Sequence, residues 1–317
     1  MNPQFAVFSA LILDLALGDP SWLPHPVRWI GKAARFLERK TRRIFLSPFL
    51  AGSATSMCIY LLSFFLPWAI IAAARHVSYL LEFIFSIFII YTAVALRDLL
   101  DHSRAVRLAL EEKNLEKARE RVGRIVGRDT QNLSESEIVR ACVESVAESL
   151  VDGITAPLFY AIFGGPAWAM LYRSVNTLDS LFGYRNEKYA RFGTLPARTD
   201  DLANFLPARL TAPLVSVSAT LLRLHPVLSL QALYRDGKKH PSPNSGLCEA
   251  AMAGALGIRL GGTNYYQGIA SEKPFLGYDT EALSPIHILS ANRIVLLTSA
   301  ISLALFISIR IALYSFL

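Results

Sequence analysis

The fold of this chain is decided by "SATSMCIYLLSFFLPWAIIAAA" at residues 53–74 and "VSYLLEFIFSIFIIYTAVAL" at residues 77–96. Each stretch approaches the roughly 20 apolar residues that an α-helix needs to cross the hydrocarbon of a bilayer. The connection between them is too short for anything but a turn. These two stretches therefore predict a transmembrane helical hairpin.

Two further apolar runs lie at the ends of the sequence. Residues 294–316 predict a third span, because Arg310 near its end can extend its side chain to the interface. The opening run "FAVFSALILDLALG" is shorter and contains Asp14. It lacks a basic start and a small-residue cleavage site, so we interpret residues 4–18 as a retained membrane segment and not as a signal peptide. The sequence thus predicts an all-α, polytopic integral membrane protein, formed by residues 1–317 as a single membrane-embedded catalytic domain.

Composition and charge agree with this class of protein. The 317 residues are 53% hydrophobic and only 18% charged, whereas soluble domains have about 25% charged residues. The net charge is +7, but the basic residues cluster in 28–43 and 97–128, beside apolar runs, and form no nucleic-acid-binding motif. We therefore expect no nucleic acid as a partner, and we expect the lipid bilayer and anionic small molecules instead. Basic flanks of this kind lie in the cytoplasm.

Two apolar segments, 154–172 and 203–222, are interrupted by proline and glycine. Irregular backbone at membrane depth is tolerated where it is buried in protein, so we predict broken or re-entrant helices there. Residues 103–151 predict cytoplasmic helices, and residues 225–292 predict a cytoplasmic, loop-rich region. The active site would then face the cytoplasm.

The stretch "ACVESVAESLVDGITAP" at 141–157 contains three acids four residues apart: Glu144, Glu148 and Asp152. On an α-helix this spacing places them in one slowly drifting stripe. A solvated helix face is one interpretation. The alternative is that the stripe points into a cleft at the edge of the membrane.

A second group of acids and amides lies in "YRSVNTLDSLFGYRNEKY" and "LPARTDDLANFLPARL". It comprises Asn176, Asp179, Asp200, Asp201 and Asn204. Such groups are costly in apolar surroundings unless they are paired, hydrogen-bonded or bound to a cation. Oxygen ligands of this kind suit Mg²⁺ together with substrate phosphates, which Arg185 and Arg198 could bind. Helix caps and internal salt bridges are the alternative explanation.

A third group lies in "RDGKKHPSPNSG" and "EAAMAGALGIRLGGTNYY". Lys238, Lys239 and Asn244 belong to the first stretch, and we interpret Gly261 and Gly262 as the end of an Ala/Gly-rich helix. Backbone amides in such a loop could cradle an anion, although glycine is equally explained as a helix C-cap. The sequence has no GxxxxGK[ST] motif, and its six histidines have no metal-ligand spacing.

Together these stretches resemble the adenosylcobinamide-phosphate synthase family, in the same order and from about residue 13 to about residue 266. The blocks that carry the resemblance are "LDLALGDPSWLPHPVRWIG", "ESVAESLVDGITAPLF", "NTLDSLFGYRNEKYARFG", "ARTDDLANFLPARL", "DGKKHPSPNSG" and "AAMAGALGIRLGGTNYY". The resemblance implies a plasma-membrane enzyme of cobalamin biosynthesis that uses ATP and Mg²⁺. Such an enzyme is a carboxylate–amine ligase, which joins (adenosyl)cobyric acid to aminopropanol or its O-phosphate, most simply through an acyl phosphate.

Under this resemblance each candidate residue receives an expected role. The expected catalytic residues are Glu144, Glu148, Asp179 and Asp201. The expected metal ligands are Asp152, Asn176, Asp179, Asp200 and Asp201. The expected contacts to ATP are Arg185, Arg198, Lys238, Lys239, Asn244, Gly261 and Gly262.

The partners implied are the corrinoid, the amine and the bilayer, and the resemblance leaves open a homo-oligomer and contacts with other membrane enzymes of cobalamin assembly. Two alternatives come from the residues alone. A membrane prenyltransferase would use the Asp-rich motifs to hold Mg²⁺-pyrophosphate. A non-enzymatic membrane signalling or transport protein would explain Asp14 and the broken helices.

Overall fold

The computed structural model describes residues 3–20, 22, 25–184 and 186–315. The chain is helical almost throughout, which confirms the predicted all-α membrane fold, and a short two-stranded hairpin is added to it. The helices are α1 Pro3–Leu17, α2 Pro26–Ile44, α3 Pro48–Val77, α4 Tyr79–Tyr91, α5 Leu96–Glu111, α6 Leu115–Val122, α7 Glu135–Ser149, the π-helical turn Leu150–Thr155, α8 Ala156–Gly164, α9 Pro166–Phe182, α10 Thr194–Leu221, α11 Pro226–Asp236, α12 Ser245–Leu256 and α13 Pro285–Ser315. The strands are β1 Arg259–Tyr266 and β2 Ile269–Gly277.

Four helical segments are long and apolar enough to cross a membrane: Pro48–Val77, Tyr79–Glu111, Glu135–Gly164 and Pro285–Ser315. The second of them includes the turn between α4 and α5. Three of them contain most or all of the predicted spans 53–74, 77–96 and 294–316. The opening run forms the shorter apolar helix Gln4–Leu17. This set fits a multi-pass membrane protein.

The segment Glu135–Gly164 differs from the prediction, which separated cytoplasmic helices from a broken apolar segment at residue 154. In the structure α7, the π turn and α8 follow one another directly. Pro157 lies in the first turn of α8, where a missing N–H costs little. The break comes at Gly165, which has a φ of +82°. Of the apolar window in this segment 67% is buried, against 28% in Pro48–Val77, so this segment presents less of its surface to lipid.

Helix α10 also differs from the prediction, because it runs without a break for 28 residues through Pro207 and Pro213. A proline inside a helix deprives the carbonyl four residues earlier of its hydrogen-bond donor. For Pro207 that carbonyl belongs to Ala203, and the hydroxyl of Tyr160 donates to it at 3.0 Å. The bond that Pro207 removes is thus replaced from α8, and the predicted break at this proline does not occur.

The chain divides into two compact units, where the sequence predicted one domain. The first unit comprises Met1–Arg97, Asp152–Asn204 and Phe306–Leu317, and the second comprises Asp98–Val151 and Phe205–Leu305. In the first unit α2, α3 and α9 pack around a core that includes Ala34, Ile59, Leu178, Phe182 and Phe192.

The second unit contains an ordered hairpin where the sequence predicted a loop-rich region. β1 pairs antiparallel with β2, from Arg259↔Gly277 at one end to Tyr266↔Ile269 at the other. Gln267 and Gly268 form the two-residue turn, with φ values of 53° and 77°, and a type I′ turn needs a positive φ at both of these positions.

Helix α12, which precedes the hairpin, ends at Gly257, whose φ is +66°. The prediction that Gly261 and Gly262 end this helix is therefore wrong. They lie instead at a bulge in β1. A left-handed backbone conformation is needed at both kinds of position, and glycine adopts it at the least cost.

Candidate functional site

The first unit contains a group of acids and amides, joined in part by hydrogen bonds, which we call the aspartate cluster. It comprises Asp152, Asn176, Asp179, Asp200, Asp201 and Asn204. The side-chain amide of Asn176 donates to Asp152 Oδ2 at 3.2 Å and to Asp200 Oδ1 at 3.4 Å. The amide of Asn204 donates to Asp200 Oδ2 at 3.0 Å. The π turn, α9 and α10 thus each contribute side chains to one polar site.

Two residues of α9 fix the orientation of these amides. The Tyr172 hydroxyl lies 2.8 Å from Asn204 Oδ1, so the NH₂ group of Asn204 is turned toward Asp200. Arg173 Nη1 lies 3.5 Å from Asn176 Oδ1 and donates to the Asp152 carbonyl at 3.3 Å. Because each amide oxygen faces a donor, each amide nitrogen faces a carboxylate.

The aspartate cluster brings several half-buried acids close together. Burial, followed by the charge of Asp179, raises the pKa of Asp200 from 3.8 to about 7. The hydrogen bonds from Asn204 and Asn176 oppose this rise in pKa, and the charge of Asp201 adds to it. Near neutral pH the cluster therefore favours either a bound proton or a bound cation.

The donor set of the aspartate cluster fits Mg²⁺. It offers carboxylate oxygens, which are hard ligands, whereas the amide oxygens of Asn176 and Asn204 already face donors. Within the described parts of the chain no three His, Cys, Asp or Glu side chains form a ready-made metal site. Protein ligation would therefore come from one or two carboxylates, and Asn176 holds Asp152 and Asp200 on either side of its amide. Mg²⁺ is commonly bound in this way, with water and substrate phosphates as its other ligands.

The Asp179 side chain is held close to the end of α9. A Cβ atom added to Gly183 would lie 2.0 Å from Asp179 Oδ1, and the Gly183 N–H donates to the Asp179 carbonyl at 2.6 Å. Any larger residue at position 183 would displace this carboxylate. Only glycine, which has no Cβ atom, therefore fits four residues after this acid in "LDSLFG".

The second unit holds Glu144 in a buried ion pair. Arg128 Nη2 donates to Glu144 Oε2, and the Gly261 N–H donates to Glu144 Oε1 at 2.8 Å. Arg128 Nη1 also donates to Asn264 Oδ1 at 2.6 Å. Both carboxylate oxygens of Glu144 are thus occupied, so the geometry favours an anchor between α7 and β1 over the predicted role as a base. The Gly261 amide is used in the same contact and is not open to an anion.

A second polar group surrounds α12; it comprises Glu148, His240, Glu249 and Lys273, and we call it the glutamate cluster. Burial raises the pKa of Glu249 well above its usual range. Burial, followed by the charge of Lys273, lowers the pKa of His240 to about 4. His240 Nε2 lies 3.6 Å from Glu249 Oε1, and burial disfavours the charged form of both side chains in this contact.

The exposed member of the glutamate cluster is Glu148, which accepts a long hydrogen bond of 3.4 Å from Ser245 Oγ. Burial lowers the pKa of Lys273, but the charges of Glu249, Glu148 and Glu144 outweigh the effect of burial and raise this pKa overall.

The sequence did not identify Glu249 as a site residue. The feature that could have indicated it is that Glu249 is a single acid in the Ala/Gly-rich run of α12.

The predicted stripe of three carboxylates is divided between the units. Glu144 and Glu148 belong to the second unit, whereas Asp152 belongs to the first. Helix α7 ends at Ser149, and Asp152 lies in the π turn that follows. Asp152 therefore joins the aspartate cluster, and the other two acids take their contacts from the second unit.

The basic residues predicted to bind ATP are placed differently from one another. Arg198 and Lys238 are exposed, and no hydrogen bond or ion pair joins them to the residues that the structure describes. Lys239 Nζ pairs with Asp236 Oδ1 at 2.7 Å. Arg185 lies outside the described residues.

The remaining two predicted positions have local contacts. Asn244 is buried and accepts a hydrogen bond of 3.1 Å from Arg209 Nη1 just before α12 begins. Gly262 has a φ of +89°, and a Cβ atom there would lie 2.8 Å from Arg140 Nη1.

The fold defines a helical, multi-pass membrane protein, with a cluster of acids and amides in one unit and a cluster of acids, histidine and lysine in the other. A family model described as "CobD/Cbib protein" matches residues 7–295. The chain is 56% identical over 300 residues to the "Cobalamin biosynthesis protein CobD" of Leptospira interrogans, with 95% of each chain covered. It is 42% identical over 304 residues to the protein of that name from Klebsiella pneumoniae, again with 95% of each chain covered.

A further relative is the "Cobalamin biosynthesis protein CbiB" of Salmonella typhi, which is 40% identical over 304 residues and 95% of each chain. No solved structure matches this chain. The chain therefore belongs to the CobD/CbiB family, and its role lies in cobalamin biosynthesis.

Proposed function

We propose that this protein is an ATP- and Mg²⁺-dependent carboxylate–amine ligase that joins (adenosyl)cobyric acid to aminopropanol or aminopropanol O-phosphate. The product is (adenosyl)cobinamide or its phosphate. Membership of a cobalamin biosynthesis family supports the corrinoid as substrate. The observation that carries the chemistry is the aspartate cluster, where Asn176 links Asp152 to Asp200 and the pKa of Asp200 is raised.

Forming an amide from a carboxylate requires an activated carboxyl group. A carboxylate oxygen of the corrinoid attacks the γ-phosphorus of ATP, the bond to ADP breaks, and an acyl phosphate results. The amine nitrogen then attacks the acyl carbon, and inorganic phosphate leaves with that carboxylate oxygen. One proton of the amine must be accepted by a base.

The residues of the aspartate cluster suit the first half of this reaction. Asp152 and Asp200 would hold Mg²⁺, which when bound offsets the repulsion between the carboxylate and the phosphates. Asp179 and Asp201 lie close enough for their charges to act on Asp200, so either could accept the amine proton.

The proposed use of ATP indicates which side of the membrane the aspartate cluster faces. ATP is a cytoplasmic substrate, so the aspartate cluster would face the cytoplasm. The basic flanks 28–43 and 97–128 favour the same side for the segments beside them. We propose the plasma membrane as the site of this multi-pass protein.

The reaction can be tested with protein purified in detergent. Cobyric acid, ATP, Mg²⁺ and each candidate amine are incubated together, and the amide is measured by mass spectrometry while ADP is measured in parallel. We expect ADP to form only when the corrinoid carboxylate is present. Amide formation that is undiminished by a chelator or by omission of ATP would refute the ligase.

The raised pKa of Asp200 predicts how stability depends on pH. The unfolded chain loses this proton near its usual pKa of 3.8, and the folded protein loses it near 7. Between these values the folded state binds more protons, so the contribution of Asp200 to stability falls as pH rises through this window. Added Mg²⁺ should therefore raise the melting temperature more at pH 7.5 than at pH 5, by about a few degrees.

The control for this measurement is Asp200→Asn. It should flatten the pH dependence in chelator and remove most of the Mg²⁺ effect. An Asp200→Asn protein with the same pH profile and the same response to Mg²⁺ as the wild type would show that Asp200 is not the group involved. This readout needs no turnover.

A further inference from the structure

A basic cavity in the first unit is lined by residues that the proposed ligase reaction does not use. It has a volume of about 700 Å³ and is lined mainly by α2, the end of α9 and the segment that follows α9. The charged residues in its lining are Arg35, Glu38, Arg39, Arg42 and Lys188. Four cationic side chains thus face one acid, and we call this the α2 basic cavity.

The single acid of the cavity is already paired. Glu38 is buried, and Arg42 Nε donates to Glu38 Oε1 at 3.0 Å. Lys188 Nζ lies 3.7 Å from the same oxygen. Arg42 is held further by the Lys188 carbonyl at 2.8 Å and by the ring of Phe192, whose centre lies 4.3 Å from its guanidinium carbon. These contacts fix Arg42 in the cavity. They also compensate the charge of Glu38, so Glu38 does not neutralise the other arginines.

Arg35 and Arg39 carry the uncompensated charge. They lie four residues apart on α2, and Arg42 follows three residues later, so all three guanidinium groups project from one helix face. Both Arg35 and Arg39 are exposed. Over the ranges that the structure describes, neither has a hydrogen bond or an ion pair. Neighbouring like charges repel, so an anion between them would be stabilising, and planar guanidinium groups bind phosphate oxygens bidentately.

The helix that carries the three arginines is close in sequence to a candidate membrane span. α2 ends at Ile44, and the candidate span Pro48–Val77 begins four residues later. Phe45 and Leu46 between them are exposed, Leu46 completely. Basic residues beside a span lie at the depth of lipid headgroups, where anionic phosphates concentrate. The Tyr184 side chain in the lining adds a hydroxyl group that can donate to such an anion.

We propose that the α2 basic cavity binds a phosphate group, supplied either by the headgroup of an anionic phospholipid or by a soluble phosphorylated molecule. Arg35 and Arg39 make the primary contacts, and Arg42 is positioned by Glu38 to complete the site. Binding here does not depend on the ligase activity proposed above.

The test compares two double variants of the detergent-purified protein by native mass spectrometry. Arg35→Gln/Arg39→Gln removes two charges from the cavity. Lys32→Gln/Lys40→Gln removes two charges from exposed positions of the same helix that do not line it. The probes are phosphatidylglycerol, with phosphatidylcholine as the neutral lipid, and inorganic pyrophosphate in EDTA, which excludes Mg²⁺-dependent binding at the aspartate cluster.

We expect the arginine variant to bind at least one anionic probe about tenfold or more weakly than the wild type. The lysine variant should stay within about twofold of the wild type. Loss confined to phosphatidylglycerol identifies a lipid phosphate, and loss confined to pyrophosphate identifies a soluble one. Equal losses in both variants, or no binding of either anion to the wild type, would overturn the proposal.

Discussion

Asp200→Asn is expected to lower the rate of amide formation by about a hundredfold or more while the protein stays folded. The substitution keeps the size of the side chain but removes the charge that the aspartate cluster would offer to Mg²⁺. Electrostatic stabilisation by a bound metal contributes several kcal/mol to such reactions. Asn204 and Asn176 remain in place as polar neighbours. The rate is measured by mass spectrometry at saturating ATP.

The matched control for this variant is Glu187→Gln, which removes one exposed acid from the same unit. It should retain nearly full activity. If Asp200→Asn only lowered the melting temperature and the folded fraction turned over at the wild-type rate, Asp200 would be a structural residue. A comparable loss in Glu187→Gln would point to an effect of overall charge.

Arg128→Met is expected to destabilise the second unit by about 3–5 kcal/mol, because it leaves Glu144 buried and without its cation. Adding Glu144→Gln to this variant should restore part of the loss. The amide oxygen that Glu144→Gln introduces can still accept the Gly261 N–H, whereas the buried charge is gone. Stability is measured by denaturant or thermal unfolding in detergent.

An exposed ion pair provides the control for the buried one. Arg124 Nη2 lies 2.6 Å from Glu120 Oε1, and the two side chains are 49% and 60% exposed. Arg124→Met should cost less than about 1 kcal/mol. If Arg128→Met were equally mild, or if the double variant were as unstable as the sum of its single variants, the anchor role of the Arg128–Glu144 pair would be wrong.

Much of the membrane fold could be predicted because its signal is local. Residues 53–74 and 77–96 each contain enough apolar length to specify a span without knowledge of any partner. The continuity of α10 could not be predicted in the same way. It depends on the Tyr160 hydroxyl, which belongs to a different helix and replaces the bond lost at Pro207.

The hairpin β1–β2 was missed although its turn has a recognisable signal. Gln267 and Gly268 separate two runs with aromatic and β-branched residues, and glycine favours the positive φ that the turn requires. The prediction placed a helix end at Gly261 and Gly262 instead. Glycine is compatible with a C-cap and with a strand bulge, so the residue type alone does not distinguish them.

The sequence identified many residues of the candidate site, but it did not identify which side chains contact one another. The acids and amides at 152, 176–179 and 200–201 stand out by their cost in apolar surroundings, and the structure links Asp152, Asn176 and Asp200 directly. Arg128 shows the limit of this reasoning. By composition it belongs to a basic flank, yet it lies buried against Glu144, 16 residues away in sequence, and only the fold reveals that pairing.

The central claim is that this chain activates a corrinoid carboxylate with ATP. The most direct test uses cobyric acid in which both oxygens of the free carboxylate are ¹⁸O, incubated with the purified protein, ATP, Mg²⁺ and the amine. We predict that each amide formed releases one inorganic phosphate containing one ¹⁸O atom, because the carboxylate oxygen leaves with the phosphoryl group. Amide formation with all of the released phosphate unlabelled would contradict the account.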